Sequence, residues 1–278
     1  MVLEGEFPSN VYAWYELAKR SGARVETVKR PQDSSWTRAI VEQIDDQTGI
    51  VAIPNCHWTD GSLVDLQQVS IRVREVGAAL VVDATQSVGA YPLNVAEIQP
   101  DFLVTAAYKW LLGPYSLGFL HVAPHHRQGI PLEFNWISRE GSENFAQLVD
   151  DRPTYQPGAR RFDVGERSNF ILLPMAIAAM KQILQWEVPR INATLQELTA
   201  QIEHKARELG FQTVTAHHRV GHLIGLRHPS ELPVQLAIEL AQSNVFVSVR
   251  GNSIRVSPHL YNTTDDIDRF FYLLGRLL

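Results

Sequence analysis

The chain has 278 residues, 45% hydrophobic and 20% charged, which is the make-up of a folded globular protein of one large or two ordinary domains. A net charge of −5 gives no field to draw nucleic acid or anionic lipid, and the pairs Lys19-Arg20 and Arg160-Arg161 are too small to change that. The single cysteine, Cys56, excludes an internal disulfide and suits a reducing compartment, and MVLEGEFPSN lacks the cationic-then-apolar order of a secretory signal, so a soluble, cytoplasmic protein is expected.

In chain order, Val11 to Ser21 has helical spacing and stops at Gly22, and Arg24 to Val28 is strand-like. Trp36 to Ile44 predicts a helix, Gly49 to Pro54 a strand, Leu66 to Val76 a helix closed by Gly77, and Ala79 to Val82 a strand running into Asp83. Phe102 to Val104 and Gly118 to Val122 predict two more strands. Strands apolar at every position, alternating with helices, predict a mostly parallel α/β sheet covered on both faces. Ile130 to Gly165 reads as ordered loops, and the apolar run Phe170 to Met180 as a buried helix too short for a bilayer. Leu172 to Leu209 is a long helical region that Pro189 should break. Strands near Phe211, Leu223, Val245 and Ile254, with helices near Leu232 and Asp265, predict a smaller α/β domain, with the boundary near residue 185: 1–185 large, 186–278 small.

Two predicted strands deliver polar residues to one edge of the sheet, where open α/β sheets bind ligands. One ends in Asp83-Ala84-Thr85-Gln86-Ser87, the other in Thr105-Ala106-Ala107-Tyr108-Lys109. A rim salt bridge is the plain reading of such an Asp and Lys. The alternative is pyridoxal 5'-phosphate (PLP), whose aldehyde takes a lysine amine and whose pyridine nitrogen needs an acid partner. Neither G-x-G-x-x-G nor G-K-[ST] occurs, so a nucleotide-binding reading lacks its motif. The pairs His125-His126 and His217-His218 show no ligand spacing with Cys or acid in the sequence; they are expected to be surface residues, and no metal site is predicted.

The segments VVDATQSVGAYPLNV and DFLVTAAYKWLLGPYSLGFLHV resemble the cofactor core of class V aminotransferases, which include cysteine desulfurases, kynureninases and epimerase-like enzymes. The elements D-x-x-Q-S-x-G, Y-K-W-x-x-G-P and SIRVSPHLYNTTDDID carry the likeness, which extends from Met1 to Leu278. It implies a fold-type-I PLP enzyme, homodimeric, acting on an amino acid or amine as an aminotransferase or lyase, with an epimerase-like or kynureninase-like activity, or a non-catalytic relative, as alternatives. By the same likeness Lys109 holds the cofactor as a Schiff base, Asp83 pairs with the pyridine nitrogen, and Gln86 contacts the ring hydroxyl. Tyr108 and Trp136 resemble the kynureninase residues of the phosphate region. Phe7 would stack on the ring, Asn10 replaces an acid, and Arg255 would clamp a substrate carboxylate. His57 or Trp58 faces the site, the choice being open; Gly165-Glu166 departs from the usual Gly-Thr pair, with Ser168 as a substitute. Cys56 lies far from the family's persulfide cysteine, which argues against standard desulfuration. Relatives carry a longer stretch before Glu4-Gly5-Glu6-Phe7, including a phosphate loop, so a partial or shortened chain is expected.

Overall fold

The computed structural model describes all of residues 1–278. A short strand β1 (Val2–Leu3) pairs in parallel with β2 (Thr27–Val28) around helix α1 (Pro8–Ser21). Gly22 closes α1 at φ 73°, the left-handed stop its position predicts. Helix α2 (Trp36–Gln43), strand β3 (Ile50–Pro54), helix α3 (Leu66–Glu75) and strand β4 (Ala79–Asp83) follow. Asp65 caps α3 by accepting the Gln67 and Gln68 amides. Helix α4 (Val95–Ile98), strand β5 (Phe102–Ala106) and strand β6 (Gly118–Val122) complete a sheet of order β3-β4-β5-β6.

The sheet is mostly parallel, as expected, with β3-β4 and β4-β5 parallel and one antiparallel edge; its expected cover needs correction. The last strand, β6, runs antiparallel to β5. A parallel return needs a crossover of a dozen or more residues, and the connection from β5 is spent on the turn that carries Lys109. The sheet is also not covered on both faces: Val104 on β5 and Phe119 and Leu120 on β6 are exposed, although β3 and β4 are packed between α2 and α3 and the rest of the core.

Beyond the loops, helix α5 (Leu172–Trp186) and helix α6 (Val188–Glu208) meet at Glu187, φ 62°, with Pro189 in the first turn of α6, so the expected break stands at its N-terminal side. The run Phe170 to Met180 is helical from Leu172 but not buried: Phe170 is 87% exposed and Ile171 75%. Only Ala176 and Ile183 of α5 are buried, because no other element of the chain lies against the remaining face. Strands β7 (Ile224–Arg227), β8 (Ser248–Arg250) and β9 (Ser253–Val256) form an antiparallel sheet of order β7-β9-β8, flanked by α7 (Leu236–Gln242) and α8 (Thr264–Leu277). The strand expected near Phe211 is a single bridge, Gln212 to Arg227. No helix is long and apolar enough to cross a membrane.

One apolar core is built from β1–β5 with α2 and α3; another joins α6, β7, β9, α7 and α8. Ala90, Trp110 and Leu111 belong to the second core although they flank the strand tips of the first sheet. The candidate site therefore sits where the two cores meet.

Candidate active site

Asp83 is the last residue of β4, and Lys109 stands in the turn three residues beyond β5. Asp83 therefore lies at, and Lys109 just past, the carboxyl ends of neighbouring parallel strands. The motif glycines explain how that turn is held. Gly89, at φ 103°, lets its backbone approach Trp110, where a Cβ would fall 2.2 Å from the carbonyl oxygen. Gly113 donates its amide to Ala107 O at 2.8 Å, folding the Lys109 turn back on β5. Ser87 Oγ donates to Asn55 Oδ1 at 2.7 Å, which ties the D-x-x-Q-S segment to the tip of β3.

The first turn of α1 touches both groups. Phe7 places its ring 5.7 Å from the Lys109 ammonium nitrogen, and Asn10, one turn on, donates from Nδ2 to Asp83 Oδ2. Asp83 Oδ1 accepts the Thr85 amide at 2.9 Å. Burial lowers the Lys109 pKa, opposed by the nearby Asp83 carboxylate and assisted by Arg255. These residues converge as the sequence predicts.

The other predicted residues divide. Gln86 is buried, and its Oε1 accepts the Trp110 indole N–H at 3.3 Å. Tyr108 stacks on Tyr115, with centroids 4.2 Å apart, and its ring lies 5.8 Å from the Lys109 nitrogen. Arg255, on β9, donates to Trp58 O at 3.1 Å, while its Nε is buried without a partner, a donor with an acceptor still to find. Trp136 is not brought to Asp83 or Lys109. Its indole donates to Glu166 Oε1 at 3.2 Å and its ring meets Phe145 edge-on, because the 134–166 loops fold on themselves. Glu166, at φ 54°, thus fills its place in the loop by bonding Trp136.

The open choice between His57 and Trp58 is resolved by burial. His57 is sealed beneath the site, stacked on Trp36, and donates to or accepts from Thr59 Oγ1 at 2.8 Å. Trp58 donates to Gly5 O at 2.7 Å and meets Phe7 edge-on at 5.7 Å, so it walls the site. Cys56 is fully buried, and burial pushes its thiol pKa up.

Two residues escaped sequence reasoning. His222 is buried and neutral, its pKa driven down to about 4 by burial, with Nε2 on the Gln86 carbonyl oxygen and its ring edge-on to Trp110 at 4.5 Å. Glu6 is 9% exposed. Its Oε1 accepts the Phe7 amide at 2.7 Å, and its Oε2 is buried without a partner. Burial raises its pKa to about 7; the Phe7 amide opposes this and the Asp83 charge adds to it. The folded state thus binds more protons than the unfolded one between the ordinary carboxylate range and pH 7, and Glu6 costs stability as pH rises through that window. Glu6→Gln should therefore melt close to wild type at pH 5 and gain roughly 2–3 kcal/mol over it at pH 8. Chemical denaturation at the two pH values measures this; a gain independent of pH would contradict the placement.

The chain's sequence and fold are similar to those of known proteins. The chain is 29% identical over 226 residues to an uncharacterized aminotransferase, YcbU, of Bacillus subtilis, covering 81% of this chain and 58% of that protein. It is 24% identical over 291 residues to probable cysteine desulfurase 2 of Mycobacterium leprae, covering 96% of this chain and 66% of that one. The chain thus spans under two thirds of the length of both relatives. A solved structure of a C-DES mutant with glycine covalently linked to its PLP cofactor superposes with TM-score 0.85 at 16% identity, over 100% of this chain and 74% of that one, and so shares the α/β fold. The aminotransferase class-V model matches residues 1–270, and the chain is a member of that family.

Proposed function

We propose that the chain works as a PLP-dependent enzyme on an amino acid or amine, as an aminotransferase or lyase. The observation that carries this reading is the turn Phe7 to Asn10, which touches both the Lys109 amine and the Asp83 carboxylate. A rim salt bridge would need no aromatic ring beside the amine and no amide holding the acid.

The residues fit the group. Asp83 has further acceptor capacity on both oxygens for a pyridinium N–H, and its bonds from Asn10 and Thr85 fix its orientation. Phe7 offers a ring face, and Gln86 an amide nitrogen free beyond the bond its oxygen accepts. Lys109 would hold the aldehyde carbon covalently, and bound PLP supplies an electron sink when a bond at the substrate α-carbon breaks. The lowered pKa makes the free amine of Lys109 more available, both as nucleophile and as carrier of the α-proton. Arg255 would take the substrate carboxylate, its unpartnered Nε gaining an acceptor. Tyr108, half-exposed beside Lys109, is assigned to the phosphate end. Trp136 would reach that end only if its loop left Glu166.

Cys56 is sealed, and burial pushes its thiol pKa up, so it is unsuited to accept a persulfide. Addition of PLP should give a visible absorbance band, and borohydride should then fix the pyridoxyl group on the Lys109 peptide. Fixation at another lysine, or no band, rejects the reading. A panel of amino acids, read out for pyruvate, ammonia and sulfide, then separates transamination, elimination and desulfuration.

Arg255→Lys should raise KM for the amino acid about 10-fold or more with a smaller change in kcat, since a lysine cannot match a carboxylate with a planar fork. An unchanged KM would move the carboxylate site elsewhere. Phe170, Ile171, Met175 and Ile177 form an exposed apolar run at the start of α5, the kind of surface that can mark an interaction site. We assign it to a homodimer contact. Ile171→Glu with Met175→Glu should shift the protein to monomer in sedimentation; a wild-type chain that sediments as a monomer removes the assignment.

A further inference from the structure

His125 and His126, adjacent in the short turn after β6, carry no acid near them in sequence. The fold brings one. Asp101, immediately before β5, directs Oδ1 at both rings, with His125 Nε2 at 2.7 Å and His126 Nε2 at 2.8 Å. The three donor atoms lie within 4.8 Å of one another. We propose that Asp101, His125 and His126 form a binding site for a divalent first-row transition ion, zinc in the first instance.

The donor set suits such an ion. Two imidazole nitrogens and one carboxylate oxygen are borderline ligands, of the kind that zinc takes with water in a fourth position. Zinc holds these atoms at about 2.0–2.2 Å, so the three need separations of roughly 3.3 Å, which a small opening of the rings provides. Today one carboxylate oxygen serves two N–H donors; an ion would exchange both bonds for metal–ligand bonds without leaving either ring unpartnered.

The support around the ligands is already built. Asp101 Oδ2 accepts the Leu80 amide at 2.7 Å, which fixes the plane of the carboxylate. The Asp101 amide donates to Leu80 O at 2.9 Å, and Asp101 O accepts the Ala123 amide at 2.9 Å. His126 is stacked on Phe102 with centroids 4.9 Å apart, and its amide donates to Ala123 O at 3.0 Å. His125 is exposed, which leaves room for water and an entry path.

The site lies at the amino ends of the strands, whereas Lys109 lies past their carboxyl ends, the full length of β5 away, about 16 Å at ~3.3 Å per residue. It is independent of any cofactor at Lys109. A bound ion would clamp the β4–β5 connection to the turn after β6 and stabilise the sheet at the strand whose face is least covered.

Calorimetric titration of the chelator-treated protein with zinc chloride tests this directly. We expect one equivalent bound with Kd below about 50 µM, and a melting temperature raised by about 5 °C at saturation. The double variant His125→Ala, His126→Ala should bind at least tenfold more weakly, while His217→Ala, His218→Ala should bind as wild type. A wild-type Kd above that limit, or equal binding by the two double variants, overturns the proposal. Should the first variant fail to fold, copper(II) in the wild type gives the answer: hyperfine splitting from two imidazole nitrogens supports the site, and its absence rejects it.

Discussion

Lys109→Ala should lose turnover of whichever amino acid the substrate panel identifies by ~10³-fold or more, because under the proposed function one amine both holds the cofactor and moves the α-proton. Millimolar methylamine should restore part of the rate, since it supplies a free base where the side chain stood. The protein itself should not suffer. Burial lowers the Lys109 pKa, so below that folded value the charged amine costs stability, and the cost fades only as pH rises toward the ordinary lysine value. The alanine variant should therefore melt at or above wild type at pH 7. An alanine variant keeping more than about a tenth of the wild-type rate would remove Lys109 from the chemistry; one that failed to fold would show the residue to be structural instead.

Gly89→Ala should produce a large loss of stability. The residue combines φ 103° with a Cβ position 2.2 Å from Trp110 O and 3.1 Å from the Leu111 amide nitrogen. These are backbone atoms, so no side chain can swing aside, and the β4 turn must separate from the Lys109 turn. A cost of about 3 kcal/mol or more follows, roughly 10 °C in melting temperature. Gly22→Ala is the control. It has a similar sign of φ, 73°, with nothing near its Cβ, and should cost only about 1 kcal/mol. Equal losses in the two variants would mean that conformation alone, and not the close approach, makes Gly89 necessary.

The parts of the fold legible in the sequence are those with local causes. Gly22 and the Asp65 cap mark helix ends, and the runs before Asp83 and Lys109 are strands because their apolar residues fill a packed sheet. The antiparallel turn of β6 was hidden, since an apolar strand reads alike in either direction. The exposed face of α5 was hidden for a related reason: composition shows that a surface is apolar, not what lies against it. In the site, Asp83 and Lys109 were readable because each follows a predicted strand tip within a family-like motif, whereas Phe7 and Asn10 were readable only through the family resemblance. Glu6 was not, because its burial comes from the fold packed around it, and the Asp83 charge that adds to its raised pKa arrives from β4. His222 reaches the Gln86 carbonyl from the far half of the chain, and Asp101 reaches His125 and His126 across the sheet edge. No local pattern marks such meetings. Trp136 is a motif residue whose indole bonds Glu166 within its own loops.

Trp110 and Leu111, the two residues after Lys109, are packed among α6, β7 and α8 rather than among the strands that present the lysine. A chimera spliced between α5 and α6 should therefore misplace the Lys109 amine however faithfully the parent sheet was copied. Recombination of these halves is productive only when the incoming segment brings a socket shaped for that indole.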